Sequence, residues 1–177
     1  MRASQGSILI IPNGFEANFT LGLLKGLTAN GLHLLVLSCD DTAPKLDAAG
    51  IPHTNVRGSL SENRSTPEKA RNLIGYYLRS MYLLYRHRGG SVHFTGILDA
   101  RRILADGLLL HLWARLTAAR YIYTVHNVLP HGRDRSRFFR SFYRIAYRIP
   151  HHLIVHTSAA RGRRSSRARA RCSHALC

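Results

Sequence analysis

Acidic residues are scarce. The 177-residue chain has nine Asp and Glu against 26 Lys and Arg, a formal net charge of +17, and nearly every cation is Arg. Such a surplus predicts attraction to something anionic: a phospholipid surface, a nucleotide diphosphate or nucleic acid. Cysteine is rare as well. Cys39, Cys172 and Cys177 do not make a disulfide framework, which fits a reducing cytosol. Long apolar runs are missing. Ile8 to Ile11 is too short for a signal peptide, and the run from Ile103 to Trp113 is broken by Asp106 and His111. Membrane contact is therefore expected to be peripheral. The eleven His have no Cys or carboxylate beside them at zinc-site spacing, so no metal is expected. There is no full G-x-G-x-x-G, and no helix-turn-helix or RNA-binding signature, so no specific nucleic acid is expected.

What is present is a globular composition, 45% apolar and 20% charged. Short apolar runs of strand length alternate with helical periodicities. Ser7 to Ile11 predicts a buried parallel strand, closed by Pro12-Asn13-Gly14. A helix carrying Phe19, Leu21, Leu24 and Leu27 stops at Asn30-Gly31, and Leu32 to Ser38 predicts a second strand. That is one βαβ unit, the opening of a Rossmann-like fold. A short helix, a Pro-weakened third strand at residues 50–56 and a polar loop at 58–66 come next. A helix then starts at Thr66-Pro67-Glu68 and continues to about His87. Ser91 to Gly96 predicts the fourth strand. A helix over Asp99 to Ala119 is expected to turn Ile103, Leu104, Leu108, Leu112 and Leu116 toward the sheet. Tyr121 to Val125 predicts the fifth strand, Arg135 to Ile149 a helix, and His152 to Thr157 the sixth strand. The expected fold is α/β: a single Rossmann-like domain over residues 1–158, with a mainly parallel sheet flanked by helices.

Residues 159–177 differ. They hold six Arg, no acid and one large aliphatic residue, Leu176, so they cannot cover a sheet face. The expectation is an Arg-rich atypical tail, unrelated to the domain before it. Removing it leaves 17 − 6 = +11 on residues 1–158.

Several motifs sit where an α/β sheet presents ligands, outside the carboxyl ends of its strands. The fifth strand ends in Thr124-Val125-His126-Asn127, with Pro130-His131-Gly132 following. This segment, with the Pro12-Asn13-Gly14-Phe15-Glu16 loop and the opening βαβ unit, resembles the N-terminal domain of retaining glycosyltransferases of family 4. Those enzymes have the GT-B fold, two Rossmann-like domains facing each other across a cleft. The resemblance covers roughly residues 7 to 158.

It implies a glycosyltransferase that moves a hexose from a nucleotide-sugar to a lipid-linked or polysaccharide acceptor with retention, and this chain as its acceptor-side half. His126 would be the catalytic residue, hydrogen bonding to the donor sugar and stabilising charge as the glycosidic bond breaks. Gly14, Phe15, Thr95, Gly96, Asn127 and His131 would bind substrate. The family often has an acid after the second His, where this chain has Gly132. The family's paired Glu, with seven residues between them in the C-terminal domain, are missing; Glu62 and Glu68 do not replace them. The resemblance thus implies half an enzyme, inactive alone, with no cofactor beyond the nucleotide-sugar donor. The competing readings are a non-catalytic remnant and a basic nucleic-acid-binding domain.

One further pattern stands apart. Arg140, Arg144 and Arg148 recur at i, i+4, i+8, with Arg137 one turn before. Like charges at that spacing destabilise a helix, a cost an anionic surface would remove. Arg137, Arg140, Arg144 and Arg148 are therefore expected to contact an anionic membrane, at its cytoplasmic inner face.

Overall fold

The structure is a computed structural model. It describes residues 7–12, 17–61, 63–96, 109–125 and 137–155. The elements follow in strict alternation: β1 (Ser7–Ile11), α1 (Ala17–Ala29), β2 (His33–Ser38), α2 (Ala43–Ala48), β3 (His53–Asn55), α3 (Thr66–Arg86), β4 (Ser91–Phe94), α4 (His111–Thr117), β5 (Arg120–Val125), α5 (Arg137–Ala146) and β6 (His152–Val155). The six strands form one sheet in the order β3-β2-β1-β4-β5-β6, and every pairing is parallel. This is the doubly wound arrangement expected from the sequence. It reverses direction between β1 and β4, where open α/β sheets bind ligands.

The strands are apolar on both sides because helices cover both sides. On one face Ile10, Leu34 and Val36 pack with Leu24 of α1 and Leu46 of α2. On the other, Leu9, Ile11, Val92, Phe94, Tyr121 and Tyr123 pack with Tyr76 and Leu84 of α3, with Leu110 just before α4 and with Ala114 of α4. Tyr147, just after α5, joins this second layer through its ring contact with Tyr123.

α3 begins with reciprocal capping: the Ser65 backbone N–H and hydroxyl both donate to Glu68 Oε2, each at 2.9 Å. It ends where Gly89 takes a φ of +78°, which a side chain would resist. Just past α3, the buried His87 donates from Nε2 to the Ser7 carbonyl at 3.0 Å, fastening the helix end to the start of the central strand.

α4 departs from the sequence expectation. Leu112 and Leu116 do not face the sheet; they are 52% and 71% exposed. The inward positions are His111, Ala114 and Ala118. Two polar anchors set this phase. The Trp113 indole N–H donates to the Met81 carbonyl at 3.0 Å. His111 Nδ1 pairs with the Tyr121 hydroxyl inside the core, among Phe94 and Tyr123. Residues 99–108 of the expected longer helix lie outside the described residues. On α5, Phe142 and Ala146 are buried and Ile145 is 53% exposed. The third strand is also shorter than expected, His53–Asn55; Pro52 has no N–H to give, and only its carbonyl joins the pairing, accepting the Val36 N–H at 3.1 Å.

Candidate functional site

β1 and β4 end together at the switch point, and the neighbouring β5 runs on past them to Val125. Ile11 aligns with Phe94, and Phe94 with Tyr123. The Thr95 backbone N–H then donates to the Ile11 carbonyl at 3.1 Å, extending the junction one step past the ladder. Thr95 is fully buried and Gly96 is buried beside it. Of the substrate-binding residues expected from sequence, these two are described, and they stand at the centre of this edge.

His126 follows Val125, the last residue of β5, and Gly14 comes three residues after the end of β1. Their strands are two sheet positions apart, roughly 10 Å at ordinary strand spacing. His126, Gly14, Phe15, Asn127 and His131 lie outside the described residues, as does the Arg-rich tail. Arg144 and Arg148 are exposed. The side chains of Arg137 and Arg140 fall outside the described set, although their backbone belongs to α5.

Beneath this edge is a buried polar pair that sequence reasoning missed. His93 Nε2 and Thr124 Oγ1 are 2.8 Å apart, joining β4 to β5. His93 is 4% exposed and Thr124 1%. Alternation puts Thr95 on the same side of β4 as His93.

A second unforeseen feature lies on the other side of β1. A cavity of about 50 Å³ opens where β1, β2 and β3 end, with Pro12, Ser38, Cys39, Lys45 and Arg57 among its lining residues. That is room for a few water molecules. Leu21, Leu24 and Leu46 supply apolar wall, and Thr20 and Thr42 add hydroxyls to it. The Arg57 guanidinium sits 5.6 Å from the Tyr76 ring centroid. The loops beside it are laced together. Asn55 Nδ2 donates to Asp40 Oδ1 at 2.6 Å, and the Gly58 backbone N–H donates to Asn55 Oδ1 at 2.8 Å. No spacing motif announces this cavity, since its rim comes from single residues at three strand ends.

The perturbed histidines are structural. Burial pushes His111 down to about 3, so it is neutral in the core. His151 is also lowered, first by burial and then by the Arg115 and His152 charges. Its Nδ1 accepts the Tyr121 backbone N–H at 2.9 Å, a bond that needs the neutral ring. Among the described residues, no three His, Cys, Asp or Glu gather to hold a metal.

No protein-family model matches the sequence. No curated protein matches it. Among solved structures, the chain is similar to the crystal structure of Acinetobacter baumannii MurG, with a TM-score of 0.55 and 12% identity. The match covers 85% of this chain and 41% of MurG, so the chain spans less than half of that protein. The likeness is one of fold. It agrees with the architecture above: a six-stranded parallel sheet with flanking helices, consistent with one Rossmann-like domain of a GT-B protein.

Proposed function

We propose that this chain is the acceptor-side domain of a glycosyltransferase that moves a hexose from a nucleotide-sugar to a lipid-linked or polysaccharide acceptor. The observation that carries the reading is the common edge of β1, β4 and β5, with Thr95 and Gly96 buried at its centre. The fold likeness to MurG, a GT-B glycosyltransferase, supports the same class. Membership of family 4, and transfer with retention, rest on the Thr124-Val125-His126-Asn127 strand end and its resemblance to that family.

In this reading His126 meets the sugar from the end of β5. An imidazole there donates a hydrogen bond to a sugar hydroxyl and stabilises charge as the anomeric bond breaks. Gly14 lets the first strand-helix turn approach the ligand closely. Thr95 and Gly96 form the floor between them, and Asn127, His131 and Phe15 complete the wall. The His93–Thr124 pair holds the β4 and β5 ends in register, a positioning role. Nucleotide contacts and most of the donor selectivity belong to a second lobe, so the chain binds acceptor without turning it over.

The test is acceptor binding by the whole chain. Isothermal titration is run against polyprenyl-diphosphate-linked sugars and free oligosaccharides, with amide shifts followed by NMR. The expected result is binding of one acceptor class, shifts at Thr95 and Gly96, and weaker binding by His126→Ala. A folded chain that binds none of them overturns the proposal.

A further inference from the structure

The cavity at the ends of β1, β2 and β3 is lined by two buried hydroxyls, Ser38 and Thr20. Ser38 closes β2 and is 4% exposed; Thr20 lies in the first turn of α1 and is 7% exposed. Among the described residues neither side-chain oxygen has a hydrogen-bond partner. A buried hydroxyl without a partner is costly, and most such groups in folded proteins find one. Two of them at one opening mark a place where the partner comes from outside the chain. The other polar groups at this opening are already engaged: the Thr42 hydroxyl and the Cys39 thiol meet at 3.4 Å.

The charge around the opening has one sign. Lys45 of α2 is exposed and Arg57, two residues past β3, is half-buried; both line the cavity. Among the described residues neither makes an ion pair, and no Asp or Glu lines the cavity. Asp40, next to Cys39 in the chain, accepts the Asn55 side-chain amide instead, at 2.6 Å. The Tyr76 ring holds the Arg57 guanidinium at 5.6 Å, which limits its freedom before any ligand arrives. At about 50 Å³ the cavity admits roughly four water-sized atoms, a compact group rather than a whole sugar or base. The rest of any ligand stays outside.

We propose that this cavity binds the terminal phosphoryl group of a phosphate monoester, with Lys45 and Arg57 pairing with its charge and Ser38 and Thr20 donating to its oxygens. A phosphoryl group has the size of the cavity, and close to two negative charges to set against the two cations. A carboxylate has one charge and two oxygens, so it would leave a cation and a hydroxyl unmatched. A neutral apolar guest would leave both hydroxyls without partners. The site stands independently of the reaction proposed above. It lies on the β2 side of β1, whereas Thr95 and Gly96 follow β4 on the other side. Binding there ties α1, β2, α2 and the end of β3 to one group, and stabilises the fold by mass action.

Isothermal titration of the whole chain tests this at constant ionic strength, with glucose 1-phosphate and uridine monophosphate as probes and glucuronate as the carboxylate control. The two esters distinguish a sugar from a nucleoside as the carrier of the phosphoryl group. At least one is expected to bind saturably, to raise the melting temperature and to be displaced by inorganic phosphate. Its NMR amide shifts should gather at Ser38, Cys39 and Arg57, so this site and the acceptor edge at Thr95 stand or fall separately. Lys45→Gln and Arg57→Gln should each weaken binding by about tenfold or more. Ser38→Ala should weaken it severalfold without lowering the melting temperature of the free chain, since the free fold loses no bond. Absence of saturable binding by both esters overturns the proposal, as does glucuronate binding as tightly. Ester binding unchanged in the Lys45→Gln and Ser38→Ala proteins, or shifts centred on Thr95, overturns it too.

Discussion

The His93 imidazole and the Thr124 hydroxyl meet at 2.8 Å across β4 and β5, one residue below the point where both strands become loops. The pair is buried and polar, on the side of β4 that also carries the buried Thr95. It specifies which residue of β5 stands beside which residue of β4 more sharply than apolar packing does.

Thr124→Val keeps the side-chain shape and removes the hydroxyl, so His93 loses this partner. The expected cost is about 1–3 kcal/mol in urea denaturation. Adding His93→Phe should recover part of the loss, because both polar groups are then gone. A double variant as unstable as the sum of the single ones would contradict this account.

Acid should weaken the fold through His111. Its pKa falls from the usual 6.5 to about 3 because burial disfavours the imidazolium. The folded state therefore binds fewer protons than the unfolded state between these values. Above about pH 6.5 the group contributes no pH dependence. Below it, stability falls by about 1.4 kcal/mol per pH unit, down to about pH 3. Denaturation midpoints measured across that window should show the slope, and His111→Phe should flatten it.

The start of α3 depends on the Glu68 carboxylate, which accepts the Ser65 backbone and side-chain bonds. The Ser65 backbone bond is the first cause of its lowered pKa, the Ser65 side-chain bond the second. A depressed carboxyl stabilises above its unfolded pKa and loses that contribution as pH falls through its folded pKa. Glu68→Gln and Ser65→Ala should each speed hydrogen exchange in the first turn of α3 and leave β4 protected.

Gly90 leaves no room for a side chain. A Cβ there would stand 2.6 Å from His87 Nε2 and 3.0 Å from the His87 carbonyl oxygen. Gly90→Ala should displace the ring from the Ser7 carbonyl and destabilise by about 1–3 kcal/mol, read as a lower melting temperature.

The sheet was legible because its strands are short β-branched and leucine-rich runs separated by Gly, Pro and Asn. Ser7–Ile11 and the end of β5 could be placed to within a residue. The face of α4 was not legible. Counting leucines pointed Leu112 and Leu116 inward, whereas a histidine, a tryptophan N–H and two alanines decided the phase. Polar anchors of this kind follow from a partner some thirty residues away in the chain, or in the next strand, and leave no periodic trace. The switch-point edge could be read from Thr95-Gly96, which follow directly on β4. The cavity rim at Ser38, Cys39 and Arg57 could not, since each residue is unremarkable until three strands are laid side by side.

The position of β1 has a kinetic consequence. It sits between β2, which follows it closely, and β4, which arrives about eighty residues later; His87 reaches Ser7 over the same span. Until β4 docks, one whole flank of the innermost strand has no ladder to join. Closing so long a loop must come before most of the reward, which makes folding slow and strongly non-local. A nascent chain that ends before residue 91 would hold three strands and no seam, and would depend on chaperones to keep that open flank from other chains.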